Sequence, residues 1–173
     1  MNLLRELPLR TDRGDFQVVV EVPKGSSVKL KYNESTGVFE WSRALRYGLS
    51  FPYDFGFFPR TVAGDRDAID AMVLSDVGSY PGVVVPSRII GSLRITQQRG
   101  VGERRNVRVL VIPVNEHRWA HIRNASDLPQ RVREELLEFF RSSLVLTGKT
   151  VKFDGFANAD EAIRDVLVGA ERF

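Results

Sequence analysis

The stretch FQVVVEV, Phe16–Val22, decides the class of fold. Four of its seven residues are valine, and β-branched side chains favour strands over helices. Pro23 follows directly and ends the pairing, because proline has no backbone N–H to donate. We therefore predict a strand over these residues, close to the start of the chain.

Strand-like segments continue through most of the chain, and glycine or proline separates most of them. They are predicted at 28–32, 38–41, 71–74, 83–85, 88–95, 107–112 and 150–156, with an aromatic tract, FPYDFGFF, at 51–58. The first two thirds of the chain are therefore expected to form a sheet or a barrel.

Two helices are predicted in the last third. Pro129 stands at the first helical position of the first helix, with Ser126 or Asp127 as its N-cap. The second helix has Asn158 as its N-cap, and Glu161 three residues later completes a capping box. Their apolar stripes are Val132, Leu136, Leu137 and Phe140 in the first helix and Ala162, Ile163, Val166 and Leu167 in the second.

Strands first and helices last predict a mainly β, α+β fold: an antiparallel or mixed β-barrel with both helices packed on its outside. A doubly wound α/β fold is disfavoured, because there the strands and helices alternate. A length of 173 residues fits a single domain, 1–173, in which 1–15 is an N-terminal extension.

The composition excludes several kinds of site. There is no cysteine, so disulfide scaffolds, thiolate metal sites and cysteine nucleophiles are excluded. His117 and His121 are too few for a His-rich metal site. No apolar run approaches the ~20 residues of a membrane span, and the N-terminus lacks the core of a secretory signal. We expect a cytoplasmic protein with no membrane partner.

The charge is mildly basic, with a formal net charge of +3 and a pI of about 9.4. A cluster of arginines lies between Arg99 and Arg108, and it fits a solvated loop better than a nucleic-acid surface. A dedicated nucleic-acid binder carries a denser basic stripe. We therefore expect no nucleic-acid partner.

The segment GDRDAIDA, 64–71, places three carboxylates within six residues: Asp65, Asp67 and Asp70. Their mutual repulsion needs compensation, and Arg66 alone does not supply it. A hard cation such as Mg²⁺, which prefers oxygen ligands, would do so. Aspartate also favours turns, so a loop without metal is the alternative.

Three more charged residues lie on or beside the first three predicted strands: Glu21, Lys29 and Arg43. If these strands pair as a meander, the three side chains share one mouth of the barrel. Lysine and arginine suit phosphate oxygens, although each is also common on a solvated surface. Together with carboxylates and Mg²⁺ they would suit phosphoryl transfer.

From Phe16 onward the chain resembles the soluble inorganic pyrophosphatases of the barrel-fold family. The resemblance rests on VVVEVPKGS, VKLKYNESTG, FPYDFGFFP, DRDAID, RIIGSLRI, SDLP and VKFDGFANA, in this order. It implies a five-stranded OB-like barrel flanked by helices. It also implies a homo-oligomer that hydrolyses diphosphate to two phosphates with several Mg²⁺ ions, for which Mn²⁺ is a possible substitute.

The resemblance also assigns roles by position. Three residues would bind the metal: Asp65, Asp67 and Asp70. Asp67 would in addition activate the attacking water. Lys29 and Arg43 would hold the phosphates and take part in catalysis, and Arg108 would add a further phosphate contact. Glu21 matches a glutamate of the family's active site.

The chain departs from the family's pattern where chemistry is expected. A metal-site glutamate, two tyrosines and two aspartates of the family correspond here to Lys31, Phe51, Phe55, Gln97 and Asn106. The loop between the last two is longer than usual, and Glu103 within it is a candidate to replace a missing carboxylate.

These replacements predict a weakened or altered diphosphatase. A neutral amide offers a metal ion no charge, Lys31 puts a cation where a carboxylate belongs, and phenylalanine donates no hydrogen bond. Losing one preorganised donor costs about 10²–10³ in rate. One alternative is a non-catalytic relative that binds a phosphorylated ligand or pairs with an active subunit. A second is an OB-like module that binds single-stranded nucleic acid through its aromatic tract.

Overall fold

The computed structural model describes every residue from Met1 to Phe173. Its eight strands are β1 (Phe16–Val22), β2 (Val28–Asn33), β3 (Val38–Ala44), β4 (Asp54–Phe57), β5 (Asp70–Val73), β6 (Val84–Arg99), β7 (Gly102–Pro113) and β8 (Thr150–Ala157). The two α-helices are α1 (Gln130–Leu144) and α2 (Ala159–Glu171), and short 3₁₀ turns precede and follow α1.

Five of the strands close into a barrel. They pair in the order β1-β4-β5-β7-β6, and β6 pairs with β1 again to complete the ring. Only β5 and β7 run parallel, so the sheet is mixed. β8 pairs with the second half of β6, beyond the point where β1 leaves it. The prediction of a five-stranded mixed barrel with outer helices is confirmed.

The first three strands do not pair as a meander. β2 and β3 form a separate hairpin, whereas β1 pairs with β4 and β6. Side chains hold this hairpin to the barrel: the Tyr32 backbone N–H donates to the Glu21 carboxylate at 2.7 Å. The Tyr32 ring also stacks on Phe57, with centroids 5.8 Å apart. The hairpin can therefore form one wall of a cavity without belonging to the barrel.

β6 is one strand of 16 residues where two were predicted. Pro86 does not divide it, because the ladder with β1 continues on both sides of this residue. The strand bends instead at a bulge between Ile89 and Gly91. Its length lets a single strand contact β1, β7 and β8.

The two helices lie in the predicted regions. α1 begins at Gln130 with Pro129 as its N-cap, later than the predicted caps at Ser126 or Asp127. The Asp127 carboxylate instead accepts the N–H groups of Arg123 and Asn124 at 2.9 and 2.8 Å, closing a 3₁₀ turn. In α2 the capping box between Asn158 and Glu161 is present as predicted.

Apolar side chains fill the barrel and the spaces under both helices. Of the predicted stripes, Leu136, Phe140, Ala162 and Val166 are buried, whereas Leu167 is 37% exposed and lies outside the core. Phe139, which the stripe omitted, is buried as well. No helix is long and apolar enough to cross a membrane.

Candidate active site

A cavity of about 650 Å³ lies between the β2–β3 hairpin, the loop before β5, the β6–β7 ribbon and α1. It contains every residue singled out from the sequence except Glu103: Glu21, Lys29, Lys31, Arg43, Phe51, Phe55, Asp65, Asp67, Asp70, Gln97, Asn106 and Arg108. Residues far apart in the sequence therefore share one site, and their individual roles stay predictions.

Strand register brings the charged side chains together. Lys29 and Arg43 are direct partners across the β2–β3 hairpin. Asp70 and Arg108 are direct partners across the parallel pair of β5 and β7. Directly paired residues on neighbouring strands place their side chains on the same face of the sheet, so each pair presents its charges to the cavity together.

Each carboxylate of the aspartate segment already has a cation beside it. Asp67 lies 3.2 Å from the Lys31 ammonium, and Asp65 lies 3.8 Å from the Arg104 guanidinium. Asp70 forms an ion pair with Arg108. The compensation that Arg66 alone does not supply therefore comes from three cations of other elements.

Two cations of the site and one nitrogen of a third have no such partner. Neither Lys29 nor Arg43 forms a salt bridge, and the Arg108 Nε atom is buried without a hydrogen-bond partner. Burial lowers the pKa of Lys29, although Asp70 opposes this effect. Burial also lowers the pKa of Arg43. These groups have hydrogen-bonding capacity left for an anion.

Burial also raises the pKa of two acids in the site. For Asp70, the neighbouring Arg108 and Lys29 oppose this rise. For Glu21, burial raises the pKa from its ordinary value of 4.5 to about 7, against the hydrogen bond from Tyr32. Glu21 therefore changes its charge near neutral pH.

Glu21 should make the stability of the protein depend on pH. Since its folded-state pKa lies above 4.5, the free energy of unfolding should fall as the pH rises from about 4.5 to about 7. This loss amounts to about 3 kcal/mol. Glu21→Gln should remove that slope and stabilise the protein at pH 8, as urea unfolding at several pH values would show.

The matched control is Glu6→Gln, because Glu6 is exposed and its side chain makes no hydrogen bond or ion pair. It should leave the slope unchanged. A Glu21→Gln variant that keeps the wild-type slope would show that another group causes it.

Phenylalanines form the apolar wall of the cavity. Phe51 packs against Phe55 and Phe139, with ring centroids 5.8 and 4.9 Å apart. The Arg108 guanidinium lies 5.9 Å from the centroids of Phe55 and Phe140. Neither Phe139 nor Phe140 was among the predicted site residues: the helical spacing indicated only a packing role for Phe140 and did not include Phe139. This wall offers a ligand no hydrogen bond.

The basic cluster is divided between cavity and solvent. Arg104 and Arg108 line the cavity, whereas Arg99 is exposed at the turn that joins β6 to β7. Glu103 pairs with Gln98 near the same turn, is exposed and does not line the cavity. This position outside the cavity gives no support to the prediction that Glu103 replaces a missing carboxylate.

Comparison with known proteins shows the family to which the chain belongs. The sequence model described as Inorganic pyrophosphatase matches residues 18–173. The chain belongs to the inorganic pyrophosphatase family. An inorganic pyrophosphatase of Thermus thermophilus is 33% identical over an alignment of 174 positions, which covers 98% of this chain and 97% of that protein. One of Synechocystis is 31% identical over 160 residues, with 92% of each chain covered.

Solved pyrophosphatase structures share the whole fold. The crystal structure from Thermus thermophilus has a TM-score of 0.91 at 32% identity and covers 99% of this chain and 98% of that chain. The structure from Helicobacter pylori has a TM-score of 0.86 at 27% identity, covering 96% and 98%. The barrel of this chain is therefore that of an inorganic pyrophosphatase along its full length.

Pyrophosphatases generally depend on metal ions, and the donor atoms of this chain do not fit a site built for several of them. No group of three or more histidine, aspartate or glutamate side chains lies close enough together to hold an ion. When the Asn106 side-chain amide is turned so that its nitrogen faces the neighbouring acceptors, it donates to Asp65 Oδ2 at 3.3 Å and to the Arg105 carbonyl at 3.0 Å. Each of the three aspartates thus already has a cation of the protein beside at least one of its carboxylate oxygens.

Proposed function

We propose that this chain hydrolyses inorganic diphosphate to two phosphates, more slowly than a complete site of the family would. One observation carries the proposal: the charged residues expected from the resemblance line a single cavity in a chain of the pyrophosphatase family. Neither a nucleic-acid-binding function nor a purely non-catalytic one has a comparable observation in its favour.

The cations would bind the substrate. Lys29 and Arg43 carry no competing carboxylate partner, and arginine can hold two phosphate oxygens at once. Arg108 has its buried Nε–H available for a third contact. These three side chains would fix diphosphate against the hairpin wall and the β7 wall of the cavity.

Asp67 would accept the proton of the attacking water. Its side chain is 61% exposed, so water reaches it from the cavity mouth. The water oxygen would bond to one phosphorus while the bond from that phosphorus to the bridging oxygen breaks, and the second phosphate leaves. Positioning and charge neutralisation provide most of the acceleration in such transfers.

The slow rate follows from what surrounds Asp67. Lys31 occupies one face of this carboxylate, with its ammonium 3.2 and 3.3 Å from the two oxygens. Gln97 and Asn106 bring no charge, and the phenylalanine wall donates no hydrogen bond. Fewer groups are therefore left to stabilise the charge that develops in the transition state.

We propose Mg²⁺ as the metal of this reaction, with Mn²⁺ as a substitute, because both prefer oxygen donors. The proposed ligands are Asp65, Asp67 and Asp70, which are not close enough together in this arrangement to hold an ion and would have to move towards one another. An ion would have to compete for them with Arg104, Lys31 and Arg108. On the resemblance alone we also propose that the chain forms a homo-oligomer.

The test is phosphate release from diphosphate with Mg²⁺ or Mn²⁺, in the wild type and in Asp67→Asn. The variant should lose at least about 10²-fold in kcat, because an amide accepts no proton from water. KM should change little, since Lys29 and Arg43 remain.

Asp12→Asn is the control, because Asp12 is exposed and lies outside the cavity. It should have the wild-type kcat. An Asp67→Asn variant as active as the wild type would remove Asp67 from the mechanism. Absence of phosphate release from the wild type with either metal ion would overturn the proposed function.

A further inference from the structure

Side chains of the protein itself bring positive charge to the aspartates of the cavity. Three cations stand directly against the aspartates, at 3.2 Å for Lys31, 3.8 Å for Arg104 and in a closer pair for Arg108. Lys31 lies in β2 and both arginines lie in β7, whereas Asp65 and Asp67 lie in the loop before β5 and Asp70 begins β5. The carboxylates are thus neutralised before any ion arrives.

The balance of charge then favours an anion. Two further cations, Lys29 and Arg43, line the cavity without a carboxylate partner. Of the acids that line the cavity, only Glu21 and Glu40 are not paired with a cation: Glu21 is buried against the Tyr32 N–H, and Glu40 accepts a hydrogen bond from the Asn33 side-chain amide. At the rim, Glu34 is paired with Arg5, whereas Arg66 and Lys149 are not in salt bridges. The cavity therefore presents a net positive field.

The geometry of Arg108 supports the same conclusion. Its side chain is 12% exposed, and one guanidinium nitrogen is paired with Asp70. Its Nε–H is buried with no partner. A buried donor left unsatisfied costs about 1–3 kcal/mol, and an anion that turns the Arg108 guanidinium towards the cavity would relieve this cost.

We infer that this cavity binds a diphosphate group in the absence of any divalent metal ion. Lys31, Arg104 and Arg108 neutralise the aspartates, so that the anion meets Lys29, Arg43 and the free Arg108 donor without repulsion. The inference rests on the proposed function only for its choice of ligand. The group could belong to inorganic diphosphate or to a nucleoside diphosphate, since both present the same phosphate oxygens.

Titration calorimetry of the full chain in EDTA tests this inference, with diphosphate and ADP as separate ligands. Diphosphate should bind in EDTA with a Kd within about threefold of that in Mg²⁺, a difference below 1 kcal/mol. The affinity should fall as salt is added, because ions screen exposed charges. A tighter Kd for diphosphate than for ADP assigns the inorganic ion, and the reverse assigns the nucleotide.

Lys31→Glu is the decisive variant. Lys31 is 56% exposed, so the change should not unfold the protein. It reverses one charge beside Asp67 and should weaken binding in EDTA at least about tenfold. Added Mg²⁺ should restore part of that loss, so that binding becomes dependent on metal. Lys31→Gln should show a smaller loss of the same kind.

Arg13→Glu is the matched control, because it makes the same charge change on an exposed residue outside the cavity. It should bind diphosphate like the wild type. Diphosphate binding that disappears in EDTA would overturn the inference, as would Lys31→Glu with wild-type affinity there. Turnover with Mg²⁺ and no binding in EDTA would leave the proposed function standing. Binding in EDTA without turnover would leave this inference standing and overturn the proposed function.

Discussion

Diphosphate hydrolysis should rise at least about 10³-fold when Lys31→Glu, Phe55→Tyr, Gln97→Asp and Asn106→Asp are combined. The combination removes the cation beside Asp67 and supplies three carboxylates and a hydroxyl to the same cavity. The resemblance expects these residue types at the four positions. The measurement is kcat for phosphate release at saturating Mg²⁺.

The single changes should be nearly silent, because residues that act as a unit contribute in a strongly non-additive way. Asn106→Asp alone, for example, would set a second carboxylate beside Asp65 with Lys31 still in place. A folded fourfold variant that binds Mg²⁺ and stays inert would contradict this expectation. Wild-type turnover at an ordinary enzyme rate of about 10–10³ s⁻¹ would contradict it too.

Gly56→Ala should destabilise the barrel by more than about 4 kcal/mol. A Cβ atom at Gly56 would lie 1.9 Å from the Val19 carbonyl oxygen and 2.8 Å from its carbon. Both atoms belong to the backbone of β1, which is fixed between β4 and β6, so neither can move aside. The midpoint of urea unfolding measures the loss.

Gly64→Ala is the comparison, because a Cβ atom at Gly64 meets nothing within 4 Å. It should change the free energy of unfolding by less than about 1 kcal/mol. Equal stability of the two variants would mean that β1 can shift away from β4, and that the barrel is looser than its strand register indicates.

The local elements were predictable because their signals are local. The valines of β1 and the capping box of α2 lie within a few residues of what they determine. The pairing of β1 with β4 and β6 was not predictable, since the residues of β1 indicate a strand but do not specify which strands it pairs with. A meander is the simplest pairing, but β1 has β4 and β6 as its neighbours in the sheet, and β2 pairs only with β3.

The candidate site shows the same limit. Residue types and order were sufficient to nominate Lys29, Arg43 and the aspartates, which do share a cavity. The ion pairs of the aspartates were not predicted, because each cation lies far from its aspartate in the sequence. Lys31 and Asp67, for example, are 36 residues apart. Arg104 was noticed only as part of a basic cluster, whose spacing does not reveal which of its members turns inward.

During folding, the cavity can form only after the barrel has closed through the pairing of β1 with β6. Ring closure joins Val19 to Val84, a pairing distant in sequence, and such contacts form slowly because a long loop must first be ordered. The β6–β7 wall and the hairpin wall meet only after that step. A refolding chain should therefore acquire phosphate binding in its slowest phase, together with the protection of the β6 amides from hydrogen exchange.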